Sequence, residues 1–334
     1  MNINSDYSTS RVFSRINHYI DKLGLNLEGF NVLTEVGSGL YNYTPIIPIL
    51  AGANSVMAWT RDSSFGKADD IIAECRIKLD KMGYEDSIEF FKGSINKNHL
   101  KNANIITNSG FLRPLNKEKL KHVKQTTVIP LMYELWELRQ GDIDIDYCTA
   151  RGLKVAGTNE YYKDISVFEH VGYLALKMAF EAGYEILNNK IIIWSDDKFG
   201  EEVENTFNCL NPLKIIKTTD FEVLKKNIQD VDFIFICDYD EMREYLTPDF
   251  FGLDELVKIN SHFAIIHLYG KIDKKNFDKI TIYPPKSGLS KTMSFTLAHL
   301  GLNPFVALQV AGFKVGEMMA KQNLKSNLMQ PINF

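Results

Sequence analysis

Residues 190–200 read KIIIWSDDKFG, from Lys190 to Gly200. The apolar run Ile191, Ile192, Ile193 and Trp194 stops at a polar turn, and from Gly200 to Leu210 apolar residues return at helical spacing. That is a strand, a tight turn and a helix, the layout in which backbone N–H groups at a helix N-terminus hold a pyrophosphate. Against the glycine fingerprint of such turns, Gly-x-Gly-x-x-Gly, this chain sets Ser195, Asp196, Asp197, Lys198, Phe199 and Gly200. Only Gly200 matches, at the position that lets the helix pack closely on the strand. Asp196, Asp197, Glu201 and Glu202 crowd the turn, Asp238 and Asp240 follow a later strand, and Lys198 is the compensating charge. A pyrophosphate about 5 Å from one carboxylate meets roughly 3 kcal/mol of repulsion at an effective dielectric of about 20. The same acids suit the positive end of a helix dipole. The turn therefore reads either as an altered dinucleotide seat or as a fold retained after its cofactor site lapsed. Nothing fixes the geometry of a metal bridging Asp196, Asp197 and Asp238, and no metal site is expected.

Outward from this turn the chain alternates strand and helix signals. A leading helix carries Val12, Ile16, Tyr19, Ile20 and Leu23 at helical spacing and stops at Gly24. Strands are expected at Asn31–Thr34, Ser55–Thr60, Ile88–Phe91, Ile105–Thr107 and Thr127–Pro130, with helices at Lys67–Met82 and around Asn116–His122. After a helix over IDYCTARG and a strand over LKVAG comes a long apolar helix, Val167–Gly183, expected to be buried between domains. Further strands are read at Lys190–Trp194, Lys214–Ile216, Asp232–Cys237 and Phe263–Leu268, and a closing helix at Pro304–Lys321. Such alternation predicts parallel sheets with helices on both faces, whose ligands sit at the carboxyl ends of the strands. In the first half those ends carry Glu35 and Ser38, then Arg61 and Asp62, then Asn108, Ser109 and Arg113, then Tyr133, Glu134, Trp136 and Glu137.

The 334 residues exceed one ordinary core, so two domains are expected. An apolar fraction of 45% and a charged fraction of 24% are those of a globular protein, and a net charge of -4 gives no case for nucleic acid or an anionic membrane. Cys75, Cys148, Cys209 and Cys237 lie far apart without CxxC spacing, the pattern of reduced thiols. The N-terminus has no apolar signal region and no stretch is long enough to span a membrane, so the expected location is cytoplasmic.

Taken in order, the chain resembles the D-isomer-specific 2-hydroxyacid dehydrogenases. GDIDIDYCTARGLKVAG (141–157) is similar to that family's approach to its inter-domain hinge, and VFEHVGYLALKMAF (167–180) to its connecting helix. Val231–Cys237 stands where the family has the strand over the adenine side, and FAIIHLYGKID (263–273) where it has the strand bearing a catalytic arginine. LAHLGLNPFVALQVAGFKVGEMM (297–319) is similar to the closing segment, whose first histidine is the catalytic acid/base. The resemblance covers roughly residues 100 to 320. It implies an α/β fold of two Rossmann-like or flavodoxin-like domains with parallel sheets joined by inter-domain helices. Residues 1–165 with 290–334 would form the substrate domain, and 166–289 the connecting helix and NAD(P)-binding-type domain.

Carried over by residue, the resemblance implies His299 as general acid/base, a role suited to imidazole. Tyr269 stands at the arginine position, and ITIYPPKSGLSKTMS (280–294), where the family's paired glutamate belongs, has no carboxylate. Arg113, with Arg61 as the other candidate, is the expected anion clamp, since a guanidinium forks onto carboxylate or phosphate. Ser195, Asp196, Lys198, Phe199, Gly200 and Asp238 would face NAD or NADP, and Glu35, Ser38, Arg61, Asn108 and Tyr133 a small polar substrate. His267 reads as a core histidine, and Asp220 stands near a ribose-binding position. A homodimer is the expected assembly. Two other readings stay open. VLTEVGSGL (32–40) with Asp62 is similar to the opening motifs of class I methyltransferases, where Glu35, Gly37 and Gly39 would hold the methionine part of S-adenosylmethionine and Asp62 its ribose. The third is a non-catalytic metabolite- or partner-binding protein on a dehydrogenase fold.

Overall fold

The computed structural model describes residues 7–239, 252–269, 279–285 and 293–334, with the backbone of 244–245 and 271–272. Its strands in chain order are β1 Asn31–Glu35, β2 Ser55–Thr60, β3 Ile88–Lys92, β4 Ile105–Ile106, β5 Val128–Pro130, β6 Lys154–Thr158, β7 Lys190–Trp194, β8 Lys214–Thr218, β9 Phe233–Ile236, β10 Glu244–Tyr245, β11 Ala264–His267, β12 Lys271–Ile272, β13 Ile282–Tyr283 and β14 Met329–Pro331. The chain divides into two compact units, Met1–Val167 with Gly301–Phe334, and Phe168–Leu300.

The first unit is built on a seven-stranded sheet in the order β14-β6-β5-β4-β1-β2-β3. β1 to β6 are parallel, and β14 joins the β6 edge antiparallel. The order reverses between β1 and β4, which makes their carboxyl ends the topological switch point. Each face is apolar because successive side chains point to opposite sides of a strand. Leu33, Met57, Trp59, Ile106, Ile129 and Val155 share one core cluster. The helix Leu302–Ala320 packs on strands of this sheet, and its small residues set the approach. A Cβ on Gly312 would stand 2.6 Å from the Met132 sulfur, and one on Gly316 3.0 Å from Ile105. The leading helix spans Thr9–Leu23 and ends as expected at Gly24, whose φ of 58 is left-handed.

The second unit carries a five-stranded parallel sheet in the order β13-β11-β9-β7-β8, with β10 and β12 paired apart from it. Its switch point lies between β7 and β9. Ile192, Trp194, Ile234, Ile236 and Ile265 pack into one cluster. Phe233 and Phe235 meet Phe207 of the helix Lys198–Asn208 edge-on at 6.3 and 5.9 Å. With both faces covered, β7, β9 and β11 read as unbroken apolar runs. The apolar helix observed at His170–Glu181 buries Val171, Leu174, Ala175, Met178 and Ala179 but leaves Tyr173 55% and Phe180 57% exposed, so it is not buried all round. It packs closely on Lys198–Asn208 because a Cβ on Gly172 would stand 1.9 Å from the Thr206 hydroxyl. Cys75, Cys148 and Cys237 are buried free thiols and Cys209 an exposed one. No helix among the described residues is long and apolar enough to cross a membrane.

Candidate functional site

The turn after β7 holds an anion already, and the anion is its own. Asp197 is the N-cap of the helix Lys198–Asn208. Its Oδ1 accepts the backbone N–H of Phe199 at 2.8 Å and of Gly200 at 3.4 Å, and the Ser195 hydroxyl donates to the same oxygen at 2.8 Å. Its Oδ2 accepts the Tyr239 N–H, beyond β9, at 2.8 Å. The Phe199 and Gly200 N–H groups are donors of the kind that a helix N-terminus offers to phosphate. Three aromatic rings pack on one another beside this turn. Phe199, 3% exposed, stacks on Tyr239 at 6.0 Å and meets Tyr269 edge-on at 4.9 Å, while Tyr239 and Tyr269 meet at 5.0 Å.

Of the other residues assigned to this seat, Ser195 and Asp238 are buried. Asp196 accepts the Thr219 hydroxyl at 3.4 Å, and the Lys198 ammonium lies 4.5 Å from the Phe168 ring. Gly200 is required by packing, since a Cβ there would meet Ser195 at 2.6 Å. Asp220 caps the helix Phe221–Asn227 through the N–H groups of Glu222 and Val223. Asp240 lies outside the described residues. No group of three or more metal-ligating side chains is found among the described residues. A pyrophosphate does not fit this seat, since it would have to displace a carboxylate bonded to four donors.

His299 lies elsewhere in the same unit. Its Nε2 is 2.7 Å from Oε2 of Glu181, which also accepts the Tyr283 hydroxyl at 2.6 Å. Phe295 stacks on the imidazole at 4.0 Å, and the Lys177 ammonium donates to the His299 carbonyl at 2.5 Å. Nδ1 is buried without a hydrogen-bond partner among the described residues. Partial burial opposes the Glu181 charge, yet the bonds from Tyr283 and His299 outweigh it and hold the carboxyl below its ordinary pKa. Tyr283 is pushed up by burial and by that carboxylate. The histidine thus has a carboxylate partner, supplied by the end of the helix His170–Glu181 and not by residues 280–294. A shallow pocket of about 490 Å³, lined by Tyr173, Leu176, Lys177, Phe180, Glu181 and Leu300, borders the pair. His267 is core, bonded to the Pro284 carbonyl and the Ser294 hydroxyl, and burial drives its pKa down to about 4.

In the first unit the switch point gathers buried polar groups. Glu35 ends β1 at 6% exposure and accepts the Phe111 N–H at 2.7 Å. Gly110 gives that carboxylate room, since a Cβ there would lie 3.1 Å from it. Burial pushes the Glu35 carboxyl above its ordinary range, against the pull of the Phe111 and Gly110 N–H groups and of Arg113. Asn108, fully buried after β4, donates its amide to the Tyr133 hydroxyl at 2.6 Å. Tyr133 donates in turn to Asp142 at 3.2 Å, and the same Asp142 oxygen pairs with Arg113 at 3.1 Å. Burial drives the Tyr133 phenol up, and the Arg113 guanidinium lies over its ring. Thr34, Thr107 and Ser109 form a chain of hydroxyls at 2.9 and 2.7 Å. Two atoms of this cluster are buried with no hydrogen-bond partner among the described residues, Asn108 Oδ1 and Arg113 Nε.

Of the remaining residues singled out in the sequence, Ser38 is half-buried and precedes the short 3-10 turn Gly39–Tyr43. Gly37 is needed for packing, with its Cβ position 2.8 Å from Tyr41. Asp62 accepts the Ala68 N–H at 2.9 Å and pairs with Lys67 at 3.2 Å, so it is committed to the start of the helix Ala68–Asp80. Glu134, buried, accepts the N–H groups of Glu160 and of the Trp136 indole. Arg61 is exposed, over the rings of Trp59 and Phe111. Glu181 and Asp142 are not among the site residues expected from the sequence. An acid in the last turn of a helix faces the negative end of the dipole, and that is the one local signal that marks Glu181.

No family model matches the sequence, and no curated protein matches it. Solved structures share the fold. A dipicolinate synthase chain from Bacillus halodurans is 11% identical, with a TM-score of 0.51 over 90% of this chain and 100% of that one. A D-lactate dehydrogenase from Treponema pallidum is 8% identical, with a TM-score of 0.51 over 90% and 100%. The pyruvate reductase of Chlamydomonas reinhardtii is 9% identical, with a TM-score of 0.50 over 90% and 98%. The chain therefore has the fold of the D-isomer-specific 2-hydroxyacid dehydrogenases, as the ordered motifs implied.

Proposed function

We propose that this chain binds a small polar metabolite at the switch point of its first unit, on a dehydrogenase fold whose dinucleotide seat is closed by Asp197. The observation that carries the reading is the Asn108 carbonyl oxygen, buried in the cluster of Glu35, Tyr133 and Arg113 with no hydrogen-bond partner among the described residues. Leaving such a group unsatisfied costs about 1–3 kcal/mol, and a ligand hydroxyl or amine would satisfy it. Asn108 would accept from the ligand, Glu35 would hold the Phe111 loop in place, and Asp142 would fix Tyr133 and Arg113. The test is thermal unfolding with a panel of small hydroxy acids, keto acids and amino acids. A true ligand at about 100 times its Kd stabilises by about 2.7 kcal/mol, which raises the Tm by several degrees. The Asn108→Leu variant should lose that rise. A panel without a hit, or a hit indifferent to Asn108→Leu, would overturn the reading.

A second reading is an oxidoreductase of the 2-hydroxyacid type using NAD or NADP, with Arg113 as anion clamp. The Glu181–His299 pair at 2.7 Å favours it, because a carboxylate on Nε2 fixes the orientation of an imidazole. This reading requires the nucleotide to bind in another pose than the family's, and His299→Asn should then abolish turnover while sparing nucleotide affinity. Nothing in the geometry of Asp62 favours the methyltransferase reading. A cytoplasmic homodimer remains the expected state, and light scattering on the purified protein measures its assembly. Tyr173 and Phe180 supply exposed apolar surface.

A further inference from the structure

Arg113, the clamp expected from the sequence, is ion-paired to Asp142, whereas another guanidinium of the same unit has no acid among the described residues. Arg61 follows β2, with its guanidinium carbon 5.9 Å from the Trp59 ring centre and 5.5 Å from that of Phe111. The Lys119 ammonium also lies 5.9 Å from the Trp59 ring centre and donates to the Leu112 carbonyl at 2.8 Å. The nearby acids are taken: Asp62 by Lys67, Asp69 by Lys92, and Glu35 by the Phe111 N–H. Among the described residues neither Arg61 nor Lys119 has an ion-pair partner. Burial first, and the Arg61 charge second, hold the Lys119 pKa down. Two uncompensated cations close to one ring repel each other until an anion joins them. The aromatic platform is itself fixed, by the Trp59 indole N–H on the Gly93 carbonyl at 2.7 Å. The Phe111 backbone that carries one ring is the one bound to Glu35, which places the cations beside the buried polar cluster.

We propose that Arg61 and Lys119, held on Trp59 and Phe111, bind the anionic group of the metabolite taken by the first unit, a carboxylate or a phosphate. This inference rests on the metabolite-binding reading above. The experiment is calorimetric titration of the full chain with inorganic phosphate and with malonate, repeated on Arg61→Gln and Lys119→Met. At least one probe should bind the wild type, and the one that binds tells phosphate from carboxylate. Each variant should weaken that binding fivefold or more, as loss of a charge-assisted hydrogen bond does, and binding should fall with added salt. Both side chains lie at the surface or half-buried, so circular dichroism should show both variants folded. No binding of either probe, or equal binding by wild type and both variants, overturns the inference. A panel metabolite lost in Asn108→Leu but unaffected by Arg61→Gln overturns it while leaving the metabolite-binding reading standing.

Discussion

Asp197 and Glu35 are both carboxylates against backbone N–H groups, yet their environments give them opposite roles. Asp197 takes four donors at a helix start, so its truncation removes a cap and frees the Ser195 hydroxyl and the Tyr239 N–H together. Asp197→Ala should cost about 1–2 kcal/mol, the upper range for a helix cap, and denaturant unfolding measures it. Glu35 is instead penalised for its charge. Its folded pKa is raised, so its contribution to stability is complete below the ordinary carboxylate pKa and is lost as pH rises through the folded value. Glu35→Gln should therefore gain stability relative to the wild type as pH rises above about 4.5. A constant difference between pH 4 and pH 8 would contradict this. His267 runs the other way. Its pKa falls to about 4 on burial, so folding weakens as pH drops from about 6.5 towards 4, by an eventual ~3 kcal/mol. Replacing it with Gln should flatten the acid limb of the stability profile.

At the level of elements, β2 and β7 were read from the sequence at their observed bounds, because an apolar run ended by polar turn residues is a local signal. The short β13 and β14 are not expected from the sequence, since ITIYPP and LMQPI lack the unbroken apolar run that marks the equally short β4, and such strands are made by their neighbours. The turn after β7 was legible in part. Its acids were seen as either a barrier to phosphate or partners of the helix dipole, and the cap geometry realises the second. What no local pattern could give is the convergence on Asp197 from Tyr239, 42 residues away, or on His299 from Glu181, 118 away. Gly200 is the one fingerprint position kept, and helix-to-strand contact explains it. Gly200→Ala should destabilise by about 1–3 kcal/mol through overlap with Ser195, seen as a lower Tm.

On the scale of the molecule, the ordered resemblance gave the right fold from motifs that are each weak, because the order of strands and helices is set by the apolar pattern along the whole chain. The chemistry does not follow from the fold, since a site depends on a few side chains that the scaffold tolerates in many forms. Here the family's phosphate seat carries a carboxylate and three aromatic rings, while among the described residues unpartnered polar atoms and cations without an acid collect at the other switch point. The central claim is that the protein itself occupies the dinucleotide seat. Titration with NADH and NADPH, followed by energy transfer from the tryptophans and by calorimetry, tests it most directly. No saturable binding is expected up to millimolar nucleotide. Micromolar binding that is lost on replacing Gly200 with Val, in a variant that remains folded, would contradict it.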